Sequence, residues 1–183
     1  NGSTLHIKGL IGTGGVHSHQ DHMVALLEAA KKHGIKQVYL HVFTDGRDTR
    51  PSSALKYLES LETEIKRIGI GKIASIAGRY YAMDRDHNWD RTDKSFNVLI
   101  KRDGKTYHSA KEALEDSYQA GVTDEYVVPA CIEVGPGEEG AICSHDAVIF
   151  VNFRNDRTRQ LTDKFLKDGP ADLSYLTITQ HSP

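Results

Sequence analysis

The chain has 183 residues, of which 38% are hydrophobic and 26% charged, enough for one sizeable domain with its own core. A net charge of -2 supplies no basic field for nucleic acid, and no apolar run is long enough to span a bilayer. No signal-peptide pattern is read in the sequence, and Cys131 and Cys143 form no CxxC pair, so a reduced, cytoplasmic compartment is expected.

Leu5 to Ile11 reads as a strand, followed by the flexible Gly12-Thr13-Gly14-Gly15. Ser18 and Asp21 form a capping-box-like start, Met23, Leu26, Leu27 and Ala30 recur at helical spacing, and Gly34 ends that helix. Val38 to Phe43 is a second strand. It runs into Asp45-Gly46-Arg47-Asp48-Thr49, a turn suited to an anionic ligand or, more simply, to a polar cap. Pro51 suits a first helical turn, and Leu55, Leu58, Leu61, Ile65 and Ile68 make an apolar stripe closed by Gly69.

Lys72 to Ala77 is a third strand, ending in Gly78-Arg79-Tyr80-Tyr81. Helices are predicted from about Trp89 to Ile100 and from a Ser109–Glu112 start with Leu114 and Tyr118 inward. From Glu125 to Ile142 short β-like runs flank Gly135 to Gly140, which reads as a hairpin excursion. Ala147 to Phe153 is the most apolar strand and ends in Arg154-Asn155-Asp156-Arg157. A helix through Leu161 and Phe165 and a strand at Tyr175 to Thr179 complete the series. Strands alternating with helices predict a three-layer α/β/α fold. Its central sheet is largely parallel or mixed, with a small β excursion near 125–145. The chain opens on Asn1 rather than Met and stops just after a strand-like run, which reads as a piece of a longer protein.

In an open α/β sheet, ligands bind beyond the carboxyl ends of the strands. Four strand-to-helix loops are predicted there, carrying His17, then Arg47 and Asp48, then Arg79 and Arg85, then Arg154 and Arg157. Eight of the ten arginines lie in or just after three of these loops, with only Arg67 and Arg102 elsewhere, whereas the lysines are spread evenly. Arginine's planar fork suits carboxylate and phosphate. The pattern therefore predicts a pocket for a small, multiply anionic molecule. The plainer alternative is a rim in which the arginines pair with Asp45, Asp84, Asp86, Asp90 and Asp156. Asp48, amid cations, is expected to stay ionised and to orient a hydroxyl or take its proton.

His17-Ser18-His19-Gln20-Asp21-His22 also spells HxHxDH, a metal signature of metallo-β-lactamase-like hydrolases. The helical periodicity after it and the lack of further ligand pairs beyond His145-Asp146 weigh against a metal site. Neither GxGxxG nor GxxxxGK[ST] is present, so no nucleotide-phosphate loop is predicted.

Several motifs in register resemble one family over nearly the whole chain. They are Gly14-Gly15-Val16-His17-Ser18-His19, Asp45-Gly46-Arg47-Asp48, Gly78-Arg79-Tyr80-Tyr81-Ala82-Met83-Asp84-Arg85-Asp86, Trp89-Asp90-Arg91 and Asn152-Phe153-Arg154-Asn155-Asp156-Arg157. The family is the cofactor-independent (2,3-bisphosphoglycerate-independent) phosphoglycerate mutases. The resemblance implies that residues 1–183 are the inserted phosphotransferase, or substrate-binding, domain of a two-domain enzyme. The phosphatase-like domain, with two manganese ions and a serine nucleophile, then lies outside this sequence. It implies a glycolytic isomerase, monomeric and cytoplasmic, that interconverts 3-phosphoglycerate and 2-phosphoglycerate through a phosphoserine intermediate.

Carried over residue by residue, Arg47, Arg79 and Arg85 hold the glycerate, Asp48 contacts its hydroxyls as a candidate base, and His17 lines the same site. Arg154 and Arg157 face the transferring phosphate, and no metal ligand is carried over. The fragment alone is expected to be inactive. The sequence departs from the family at Gly12-Thr13, where Ser-Asp is common, and at Arg50, where a small residue or proline is common. A catalytically idle anion-binding domain is the reading from another functional class.

Overall fold

The computed structural model describes residues 3–180. Seven strands form one sheet: β1 (Leu5–Leu10), β2 (Val38–Thr44), β3 (Lys72–Gly78), β4 (Thr106–Tyr107), β5 (Ala130–Ile132), β6 (Ala147–Phe150) and β7 (Ser174–Thr177). Their spatial order is β4-β5-β3-β2-β1-β6-β7. β1 pairs in parallel with both β2 and β6, β2 with β3 and β6 with β7, while β5 runs antiparallel to β3 with β4 alongside it. The sheet is thus mixed, with a parallel body and a reversed pair at one edge.

The helices are α1 (Asp21–Lys32), α2 (Ala54–Ile68), a single turn α3 (Arg79–Ala82), α4 (Trp89–Lys101), α5 (Ala110–Gln119) and α6 (Arg159–Asp168). Leu27 of α1, Leu58 and Leu61 of α2 and Leu114 of α5 pack with Ile7, Leu40, Val42 and Ile76 of the sheet. Phe96 and Leu99 of α4, with Leu161 and Phe165 of α6, close on Leu10, Phe43 and Phe150 on the opposite face. Each such side chain, fully buried, is worth roughly 1.5–3 kcal/mol. Because helices cover both faces, every residue of β1 and β2 is buried and the usual polar alternation is lost. No helix among the described residues is long and apolar enough to cross a membrane.

Local details differ from the sequence expectation. The β excursion is the one short strand β5, not a hairpin: Gly135 to Gly140 makes a turn with no returning strand, and Ile142 instead ties to α4 through Leu99 O at 2.9 Å. Ser18 does not cap α1, whose N-cap is Gln20 without a side-chain bond, and the Ser18 hydroxyl is buried. Pro51 lies ahead of α2, which starts at Ala54. The Ser109 cap does form, accepting from Glu112 N at 3.1 Å. The sixth strand stops at Phe150, because beyond it Asn152 turns its side-chain oxygen to Leu10 N at 2.9 Å.

Candidate anion-binding rim

β1, β2, β3 and β6 run in the same direction, so the loops that follow them open on one edge of the sheet. Backbone bonds tie these loops together. Phe153 N donates to His17 O at 2.9 Å, joining the loop after β6 to the loop after β1, and Ile11 N donates to Phe43 O at 2.8 Å.

Arg79 is the hub of this edge and is only 3% exposed. Its Nη1 donates to Asp45 Oδ1 and to Asp48 Oδ2, both at 2.6 Å. Its Nη2 lies 3.1 Å from His17 Nε2. The Asp45 carboxylate also accepts from its own turn, from Arg47 N at 3.2 Å and Asp48 N at 3.1 Å. That Asx-turn geometry explains why Asp opens the stretch. Gly46 takes φ +68°, a left-handed conformation that costs glycine least.

A second carboxylate gathers the outer cations. Asp156 accepts from Arg85 Nη1 at 2.8 Å and pairs with Arg154 Nε at 2.9 Å, and it stands 3.8 Å from His17 Nδ1. Arg157 donates to Met83 O at 3.4 Å. Arg47 reaches outward to Glu125 at 3.2 Å, with its side chain 57% exposed. All seven residues singled out in the sequence therefore stand along this one edge, with His17, Asp48 and Arg79 in direct contact. The salt-bridged alternative is partly realised in the same arrangement, and Arg91 follows it by pairing with Asp84 at 3.2 Å.

The charges set one another. Partial burial works to raise the Asp48 pKa, but hydrogen bonding and charge from Arg79, with His17 and Arg154, outweigh it and hold Asp48 below the ordinary carboxylate value. Burial, then the charges of Arg79 and Arg154, lower His17 to about 4 against the pull of Asp156 and Asp48. Burial, then Arg85, Arg79 and Arg47, push Arg157 below its usual value, the mark of a cation held among cations. With His17 neutral, five guanidinium groups face four carboxylates (Asp45, Asp48, Glu125 and Asp156), leaving an excess of one positive charge. An entering anion must compete with the carboxylates already on Arg79, Arg85 and Arg154.

The donors here do not suit a divalent cation, since guanidinium groups occupy the carboxylates. Among the described residues no three His, Cys, Asp or Glu side chains are grouped to hold a metal ion. The HxHxDH stretch does not converge: ahead of α1, His17 turns to Arg79 and His19 lies 3.4 Å from Asp21, while His22 on α1 meets the Phe153 ring edge-on at 5.8 Å. A surface groove of about 660 Å³ beside Arg102, Glu133 and Glu138 is lined by both signs of charge and lies away from this edge. Sequence reasoning missed the short 3-10 turn Asp124–Tyr126, which buttresses the rim through Glu125. Nothing in its spacing distinguishes it from an ordinary linker.

Residues 1–182 match the family model described as BPG-independent PGAM N-terminus. The chain is 47% identical over 188 residues to the 2,3-bisphosphoglycerate-independent phosphoglycerate mutase of Staphylococcus aureus (strain COL), covering 98% of this chain and 37% of that protein. Identity to the Clostridium kluyveri enzyme of the same name is also 47%, over 99% of this chain and 37% of the relative. The fold superposes with a TM-score of 0.90 on Leishmania mexicana phosphoglycerate mutase, crystallised at low cobalt concentration, at 31% identity over 97% of this chain and 36% of that one. The chain belongs to the BPG-independent phosphoglycerate mutase N-terminus family and spans just over a third of the length of the relatives it matches.

Proposed function

We propose that this chain is the substrate-holding domain of a phosphoglycerate mutase that interconverts 3-phosphoglycerate and 2-phosphoglycerate. The observation that carries the proposal is the meeting of His17, Asp48 and Arg79 at one sheet edge with four further arginines beside them. On this reading Arg79 and Arg85, with Arg47, hold the glycerate carboxylate and hydroxyls. Arg154 and Arg157 face the phosphoryl group while it rests on a serine outside this chain. The glycerate turns within the rim, and its other hydroxyl attacks the phosphoserine. Glycolysis and a cytoplasmic setting follow from that reaction. The metal ions, two manganese on this reading, belong with the serine in the remainder of the enzyme.

The low pKa of Asp48 bears on its role. A carboxylate tied to Arg79 is a weak base at neutral pH. When the substrate carboxylate draws Arg79 to itself, Asp48 loses its strongest stabilising partner and becomes a better proton acceptor. The anion thus prepares its own base.

The test is turnover of 3-phosphoglycerate by the full-length protein, alone and as Arg79→Ala or Asp48→Asn. A lost charge-assisted contact of about 1.5–3 kcal/mol predicts a fall in kcat/KM of roughly tenfold or more. Near-normal rates for both variants would remove these residues from the mechanism. A full-length protein that binds 3-phosphoglycerate without turning it over would favour an anion-binding role.

A further inference from the structure

The turn Asp124–Tyr126 belongs to none of the four loops of the rim, yet it pins one of them at both ends. Asp124 is 1% exposed. Its Oδ2 accepts from the backbone N of Ser53 at 2.8 Å and of Ala54 at 2.9 Å, the leading amides of α2. Its Oδ1 accepts from the Tyr118 hydroxyl. Its own N donates to Pro51 O at 2.8 Å, and its carbonyl accepts from Thr44 Oγ1 at 2.6 Å. Thr44 and Pro51 bracket the turn that carries Arg47 and Asp48.

Two glycines show how closely the segment is seated. A Cβ on Gly46 would stand 2.7 Å from Glu125 N, and a Cβ on Gly78 would stand 2.4 Å from Glu125 O. Gly78 N also donates to Val127 O at 2.7 Å, and the next residue is Arg79. One short segment therefore fixes both the Asp48 turn and the start of α3.

We propose that Asp124 is a positioning residue that holds Asp48 and Arg79 in the register at which they meet His17, without itself touching a ligand. Its effect on activity rests on the mutase reading, but its effect on the rim does not. A misplacement of about 1 Å at a binding group costs up to ~100-fold in rate, so a loosened turn is felt in function before it is felt in folding.

The experiment compares Asp124→Ala, Asp124→Asn and a control, Ser109→Ala, in the full-length protein. Ser109 caps α5 at the end opposite Tyr118, so its loss weakens a helix without reaching the turn. The readouts are KM and kcat for 3-phosphoglycerate and the NMR titration midpoint of His17, all well below the unfolding temperature. Asp124→Ala is expected to raise KM at least tenfold and to move the His17 midpoint from about 4 towards 6.5. Asp124→Asn keeps an oxygen for the Ser53 and Ala54 amides and is expected to recover most of both. Ser109→Ala should lower the unfolding temperature alone.

If Asp124→Ala does not fold, Tyr118→Phe removes one bond to the same carboxylate and should move both readouts a few-fold in the same directions. A lower unfolding temperature with KM and the His17 midpoint unchanged, in whichever of these variants folds, would make Asp124 a structural residue only and overturn the proposal. A wild-type protein with no turnover would overturn the mutase reading and leave the His17 titration to decide the role of Asp124.

Discussion

Arg79 Nη2 and His17 Nε2 face each other at 3.1 Å, and the imidazole must be the acceptor. A guanidinium has only donors, so Nε2 carries the lone pair and the neutral ring keeps its proton on Nδ1. Nδ1 points toward Asp156 Oδ1 at 3.8 Å. Protonating Nε2 would set a cation against Arg79. The contact therefore fixes the tautomer and adds to the lowering of the pKa that burial begins.

The first prediction follows from that contact. His17 should titrate near 4, and Arg79→Ala should move its midpoint up towards 6.5 by removing a neighbouring cation. NMR of the imidazole carbon protons measures it. A midpoint that stays put in the variant would show that burial alone sets it.

Acid should destabilise the fold. His6, buried, bonds through Nδ1 to His41 Nε2 at 2.9 Å and through Nε2 to Asp146 at 3.3 Å, while His41 Nδ1 meets Ser75 at 2.8 Å. One consistent assignment has His6 donating to Asp146, His41 to His6 and Ser75 to His41, with both rings neutral. Burial lowers His6 to about 4 against the pull of Asp146. Above pH 6.5 both folded and unfolded chains carry the neutral ring. Between 6.5 and 4 only the unfolded chain takes the proton, so stability falls as pH falls through that window. The drop from His6 alone is on the order of 3 kcal/mol. Urea midpoints at pH 7.5 and pH 4.5 should differ accordingly, and equal midpoints would refute the assignment.

Lys8 should be a stability cost. Its side chain is completely buried, its Nζ has no hydrogen-bond partner among the described residues, and it sits 3.7 Å from the Phe165 ring centre and 4.7 Å from those of Phe150 and Tyr175. Burial lowers its pKa well below the usual lysine value. When the amine is protonated, the rings offset part of that cost. Burying an amine without a hydrogen-bond partner costs stability that a hydrophobic residue of similar volume does not incur, so Lys8→Met should raise the unfolding midpoint. The unfolded lysine binds a proton that the folded one resists. The gain should therefore be largest at low pH and shrink as pH approaches 10.5. A loss of stability in Lys8→Met would mean the amine has a partner.

The rim was legible in the sequence because arginine is sorted by chemistry: eight of ten cluster after predicted strands, and a parallel sheet brings those ends together. The strand order was not legible, since alternating strands and helices do not say which edge receives β6 or that β5 reverses against β3. His6 and Lys8 look like the solvent face of an alternating strand, yet both are buried, Lys8 against Phe165 of α6 and His6 against His41 and Asp146. Asp124 escaped notice because two of its carboxylate's partners are backbone amides, which leave no trace in sequence, and the third is a tyrosine hydroxyl six residues away.

The last prediction concerns Asp156, which holds Arg85 and Arg154 in the unliganded rim. Their side chains are 45% and 47% exposed, so these pairs add little to stability, within about 1 kcal/mol. For an incoming anion, however, Asp156 is a competitor for both arginines. Asp156→Asn removes that competitor and raises the local charge by one unit. It should tighten 3-phosphoglycerate binding to the full-length protein by roughly 3–10-fold at low salt, or about 0.7–1.4 kcal/mol. Screening should shrink the gain at 1 M salt, where the Debye length is near 3 Å. The same change should lower the His17 midpoint further, because Asp156 is one of the groups holding it up. Calorimetry at two ionic strengths measures the first effect and NMR the second. Weaker binding in Asp156→Asn would mean that the carboxylate orients the arginines for the ligand rather than competing with it.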